Sequence, residues 1–227
     1  MALSGLDGSG KSTVAEALRA ALDGAGTPAA VVWTKLGGTT WTATVAARIK
    51  DALRLSRPVS DTPPRTFPSG AQEDLVDSGT LLRRRSRAVT WAWTLVLAAD
   101  NVRAHRRAVR RAGADVVVCD RWVLDSVAQL RHRYGDGPYR LHVLFLRRLS
   151  PRPLAAWFLD VPPAVALARK PEQFDLAQLD ALARCYRAAA VELGVPTLDG
   201  EAPRQSLTTT VVREVQTVID APTARRG

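Results

Sequence analysis

The chain has 227 residues, 46% hydrophobic and 24% charged, a globular composition that excludes wholesale disorder, collagen and coiled-coil architectures. No apolar run reaches the roughly 18 residues of a bilayer span, and the start lacks the charged-then-apolar order of an export signal, so a soluble cytoplasmic protein without a membrane partner is expected. Two cysteines, Cys119 and Cys185, and three scattered histidines offer neither a disulfide framework nor a zinc site, and the net charge of +10, in which 28 of 32 basic residues are Arg, fits a nucleic-acid surface or a phosphate-handling site equally.

Short β-branched runs alternate with helical periods along the chain, the pattern of an α/β domain layered on a mostly parallel sheet. Strands are predicted at residues 2–4, 29–34, 115–119, 155–159 and 195–198. The first is short for a central strand. A helix over 12–22 carries Val14, Leu18 and Ala21 on one side, and one over 86–112 stops at Gly113, where a left-handed cap is cheap. A helix over 179–193 shows Leu179, Leu182, Tyr186 and Leu193, and the last, over 206–219, presents Val211 and Val215 to the sheet. Residues 56–72 hold four prolines and read as an irregular excursion, and 132–140 read as a loop. Neither interrupts a single domain over 1–227.

Gly5-Leu6-Asp7-Gly8-Ser9-Gly10-Lys11-Ser12 satisfies G-x-x-x-x-G-K-[ST] at every fixed position, between an apolar stub and a helical period. That order defines a phosphate-binding loop. Gly5, Gly8 and Gly10 permit positive φ, so that the N–H groups of the loop, Asp7 and Ser9 included, can converge on a phosphate at a helix N-terminus. Lys11 reaches the outer phosphates, the Ser12 hydroxyl is a ligand for Mg²⁺, and Thr13 is placed for an α-phosphate. Nucleotide, as ATP with Mg²⁺, is the expected ligand. At the end of the 115–119 strand stand Asp120 and Arg121, where open α/β sheets bind their ligands. Asp120 is placed to hold Mg²⁺ or orient an attacking oxygen, and Arg121 to clamp a phosphate.

These residues, with four further segments, resemble the thymidylate kinases among the nucleoside monophosphate kinases. Ser4 through Thr13 resembles F-E-G-x-D-G-x-G-K-[ST]-T; Thr34-Lys35-Leu36-Gly37-Gly38-Thr39 resembles T-R-E-P-G-G-T, one residue shorter. Leu97-Ala98-Ala99-Asp100 resembles L-F-A-A-D-R, Asp120-Arg121-Trp122 with Ser126 resembles D-R-Y-x-x-S, and Leu159 through Arg169 resembles L-D-V-x-P-E-x-A-x-x-R. The resemblance implies a three-layer P-loop fold with a five-stranded parallel sheet, and transfer of the γ-phosphoryl group of ATP to a nucleoside monophosphate, dTMP first. It further implies an acceptor side over about 35–90 and a short lid over about 169–176. Asp7 would contact the acceptor sugar, Lys35 and Arg121 its phosphate, and Arg169 with Lys170 would cover the transferring group. Gly38 falls within the second of these motifs.

The chain departs from that pattern at Asn101, where arginine is expected with Arg103 two residues on, at Trp122 in place of tyrosine, and at Pro171 through Asp175, which lack the usual arginines. Phe67 is placed either to stack on an acceptor base or to fix its own loop. The family also makes a homodimer conceivable through the long helix. Two other readings stay open: a kinase of another small-molecule acceptor, and a nucleotide-binding module with little transfer. Stable nucleic-acid binding is not expected.

Overall fold

The computed structural model describes residues 1–34, 36, 44, 48, 87–135, 139–171 and 175–220, with the side chains of 218–220 not described. Lys35, Gly38, Phe67 and residues 172–174 of the expected lid lie outside the described residues. The elements, in chain order, are β1 (Ala2–Gly5), α1 (Lys11–Gly24), β2 (Ala29–Trp33), α2 (Arg87–Ala112), β3 (Val116–Asp120), α3 (Val123–Tyr134), α4 (Arg140–Leu149), β4 (Ala156–Asp160), α5 (Pro163–Arg169), α6 (Leu176–Leu193), β5 (Thr197–Asp199) and α7 (Arg204–Asp220).

The five strands form an all-parallel sheet in the order β2-β3-β1-β4-β5. Parallel strands need crossovers, and the helices provide them on both faces, giving a three-layer α/β fold of the kind found in P-loop nucleotide-binding proteins. Strand alternation divides the core. On β4, Trp157 and Leu159 join Leu3, Val14, Leu18, Leu22, Val211 and Val215 beneath α1 and α7. Phe158, between them, points the other way into the larger cluster with Leu97, Val123, Leu124, Leu130 and Tyr186. Phe158 and Tyr186 stack at 5.8 Å between ring centroids.

Despite its four residues, β1 is the central strand, with Leu3 aligned on Asp120 of β3 and Gly5 on Leu159 of β4. The sheet therefore brings Gly5, Asp120 and Asp160 to one edge, the carboxyl ends of the strands. Gly113 after α2 has the expected positive φ, 61°. Residues 132–140 differ from expectation: α3 runs on to Tyr134 and α4 starts at Arg140. The helix expected at 179 starts at Leu176, where the Asp175 carboxylate accepts from the Gln178 N–H at 2.7 Å and the Gln178 side chain accepts from the Asp175 N–H in return. Among the described residues no helix is long and apolar enough to cross a membrane.

Candidate phosphate site

The loop from Gly5 to Gly10 leaves the central strand and enters α1 directly. Gly8 and Gly10 have φ near +90°, where a β-carbon is strained. At Gly8 the strain is compounded, because a β-carbon would sit 2.5 Å from the Ala166 carbonyl oxygen of α5. Gly5 is packed as closely, 2.7 Å from the Leu159 carbonyl oxygen. Ser9 is buried in the turn and its N–H donates to the Leu6 carbonyl at 3.0 Å. The first N–H groups of α1, with no partner one turn earlier, face the same space.

Lys11, 4% exposed, donates from Nζ to the Leu6 carbonyl at 2.9 Å and meets Asp7 Oδ1 at 3.5 Å. Burial and the neighbouring Arg121 charge lower its pKa, against the pull of Asp7, Asp125 and Asp120. The Asp7 pKa is also lowered: burial alone would raise it, and Arg121, Lys11 and Lys170 together outweigh that. Ser12 Oγ donates to Asp120 Oδ2 at 2.5 Å, joining the start of α1 to the end of β3. Asp120 is 4% exposed, and its other oxygen, Oδ1, has no hydrogen-bond partner among the described residues. Thr13 is exposed beside them.

Arg121 leaves β3 with φ 86°, a left-handed conformation unusual for a side-chain-bearing residue, while its N–H still donates to the Leu3 carbonyl at 2.9 Å. Its guanidinium donates to Asp7 Oδ1 and lies 3.9 Å from Asp125 Oδ1. Burial disfavours that charge, and Tyr186, Asp125, Asp7 and Asp120 reverse the balance and raise its pKa. Asp125, a residue the sequence reading did not single out, accepts from the Tyr186 hydroxyl and the Trp122 N–H, both at 2.9 Å. Arg169, at the end of α5, donates to the Gly8 carbonyl at 3.3 Å and the Gly200 carbonyl at 3.4 Å.

These groups share one cleft of about 520 Å³, lined by Asp7, Gly8, Gly10, Lys11, Ser12, Thr13, Asp120, Arg121, Arg169 and Lys170. Arg103 stands exposed on α2 and is not among the cleft-lining residues. Gln129, His132 and Arg133 of α3, Leu182 and Tyr186 of α6 and Trp33 at the end of β2 complete the lining, and none had been assigned to a site. Tyr186 had been read as core; its ring stacks in the core, and the residue also lines the cleft. Asn101, where the resemblance expects arginine, accepts from the Ser126 hydroxyl at 2.8 Å and ties α2 to α3.

A glycine turn between the central parallel strand and its helix, with a buried lysine and a serine–aspartate pair at the same sheet edge, places the fold with the P-loop-type α/β proteins. Over 133 residues the chain is 26% identical to a probable thymidylate kinase of Pyrobaculum aerophilum, a match spanning 55% of this chain and 68% of the relative. No protein-family model matches. This distant similarity supports a nucleotide-kinase-like function.

Proposed function

We propose that the protein transfers the γ-phosphoryl group of ATP, with Mg²⁺, to a nucleoside monophosphate, dTMP being the first acceptor to test. The observation that carries this reading is the convergence of Lys11, Ser12 and Asp120 at the carboxyl end of β1 and β3. The Ser12 hydroxyl and Asp120 Oδ1, which has no partner among the described residues, are hard oxygen donors suited to Mg²⁺, which is commonly held by one or two protein groups plus phosphates. Among the described residues no set of three His, Cys, Asp or Glu side chains gathers to bind a metal by protein ligands alone. Bound there, Mg²⁺ would neutralise phosphate charge.

The acceptor oxygen of a monophosphate is already anionic, so no general base is needed. Its oxygen forms the new bond to the γ-phosphorus as the bond to the β-bridging oxygen breaks and ADP leaves. The chain's task is to hold the two anions together against their repulsion. The loop N–H groups and Lys11 bind the donor phosphates, and Arg169, already on the Gly8 carbonyl, brings positive charge beside them. Asp7 and Asp125 fix Arg121 at the acceptor side.

The test is ADP release from MgATP across a panel of nucleoside monophosphates. Stimulation by at least one is expected, with Lys11→Ala lowering the stimulated rate about 10²- to 10³-fold, the usual loss for one donor aimed at the moving charge. Absence of stimulation by every monophosphate would refute the reading; MgATP binding without it would select a nucleotide-binding module.

A further inference from the structure

Of the Lys and Arg side chains that line the cleft, Lys11 and Arg121 meet carboxylates and Arg169 and Lys170 are exposed, which leaves Arg133 as the buried one without an ion pair among the described residues. Arg121 is matched by Asp7 and Asp125, just as Arg131 meets Glu192, Arg187 meets Asp160 and Arg19 meets Glu16 and Asp23. Arg133 lines the same cleft at 8% exposure, yet among the described residues no carboxylate or hydrogen-bond acceptor meets its guanidinium. Burial, and after it the Arg121 charge, disfavour its charged form, against the pull of Tyr134 and Tyr186. A buried cation without a counter-charge is expensive to keep.

One helical turn earlier on the same face of α3 lies Gln129, 9% exposed, whose Oε1 is buried without a donor among the described residues. Side chains on a helix lean toward its N-terminus, so both reach back along α3 toward the Arg121 end of the cleft. Tyr186, which shares this wall, gives its hydroxyl proton to Asp125 and does not satisfy Gln129.

We infer that Arg133 and Gln129 form a binding site for the second ligand of the cleft, taking an anionic group, phosphate or carboxylate, that carries a hydroxyl or N–H donor beside it. This deepens the proposed kinase function and rests on it for the identity of the first ligand, the nucleotide in the loop. Arg133 accepts the anion because it is the uncompensated buried cation of this wall, whereas the Arg121 charge is already matched. The donor beside the anion satisfies Gln129. The site thereby selects an acceptor by charge at its α3 end, in addition to whatever the loop demands of the donor.

The test uses the full chain saturated with MgADP, so that the loop is filled, titrated calorimetrically with dTMP, inorganic phosphate and lactate in a chloride buffer. Binding of dTMP or phosphate, or of lactate, identifies the group as phosphate or carboxylate. In Arg133→Gln that binding is expected to weaken at least tenfold, with part of the loss restored in Arg133→Lys and MgADP affinity within twofold of the parent. The ligand-free melting temperature of Arg133→Gln is expected to equal or exceed that of the parent, since a cation without a partner is removed. A lower melting temperature, unchanged affinity for every probe that binds, or no probe binding to the MgADP complex would overturn the inference. Should MgADP itself not bind, the kinase reading falls, and the dependence of the probes on Arg133, measured without nucleotide, still decides this one.

Discussion

Replacing Asp125 by Ala probes the support beneath the site. The carboxylate is 3% exposed and serves the Tyr186 hydroxyl at 2.9 Å, the Trp122 N–H at 2.9 Å, the Gly5 N–H at 3.5 Å and the Arg121 guanidinium at 3.9 Å. The two short bonds dominate. Tyr186 is 1% exposed, so its hydroxyl would lose its acceptor with no water to replace it, at about 1–3 kcal/mol. The Trp122 N–H opens α3, and losing its side-chain acceptor costs about 1 kcal/mol. Arg121 keeps Asp7 but loses part of its compensation, and the whole comes to about 3–5 kcal/mol, the range found when one partner of a buried ion pair is removed. Native stabilities run only about 5–15 kcal/mol. With a urea dependence near the top of the usual range, roughly 3 kcal/mol per molar, the unfolding midpoint should fall by about 1–1.7 M. Urea titration followed by tryptophan fluorescence and far-UV dichroism measures it, with Tyr186→Phe as the milder control. A fall below about 0.3 M for Asp125→Ala would show that the carboxylate does not support the cleft as described.

Two further outcomes follow from the loop. The folded pKa of Asp7 lies below its ordinary 3.8, so its ionised form contributes stability that is present above that value and lost as pH falls through the lowered one. The urea midpoints of the parent and Asp7→Asn should therefore keep a constant gap at neutral pH and converge below about pH 4; a gap that persists in acid refutes the assignment. Gly8→Ala and Gly10→Ala share nearly the same φ, but only at Gly8 does the new β-carbon meet α5. Both should lose about 1–2 kcal/mol from the backbone, with Gly8→Ala losing more and binding MgADP at least tenfold more weakly than Gly10→Ala. Equal affinities by calorimetry would refute the close packing of loop on α5.

The loop was legible because glycine, lysine and serine at fixed spacing have few other uses, and β3 because a run of valines bounded by charge is a buried strand. The α3 helix was harder to read. Val123 through Leu130 are all buried, so the contrast between a wet and a dry face that betrays a helix is missing. Several of its polar residues, Asp125 and Ser126 among them, are buried against neighbouring helices and the cleft. Asp125 is therefore an invisible kind of site residue: its neighbours Arg121 and Tyr186 lie 4 and 61 positions away, and only the packing of α3 on α6 brings the three together. The α4 helix was hidden for another reason: apolar residues crowd its middle, with Leu141 and Leu144 exposed and Val143 and Leu146 buried, so the contrast between its two faces is blurred. Tyr186 shows the limit of periodicity, which placed the ring in the core and said nothing of its hydroxyl.

The resting position of Lys11 bears on which anions can compete for the loop. Its ammonium already lies against the Leu6 carbonyl, with Asp7 beside it, so any newcomer gains only the difference between its own attraction and theirs. A chloride or bicarbonate, offering a single weak contact, has little to win from that exchange. A polyphosphate, the donor proposed above, would bring many oxygens to the lysine and the surrounding amides at once, and so would meet a threshold that a single weak contact does not.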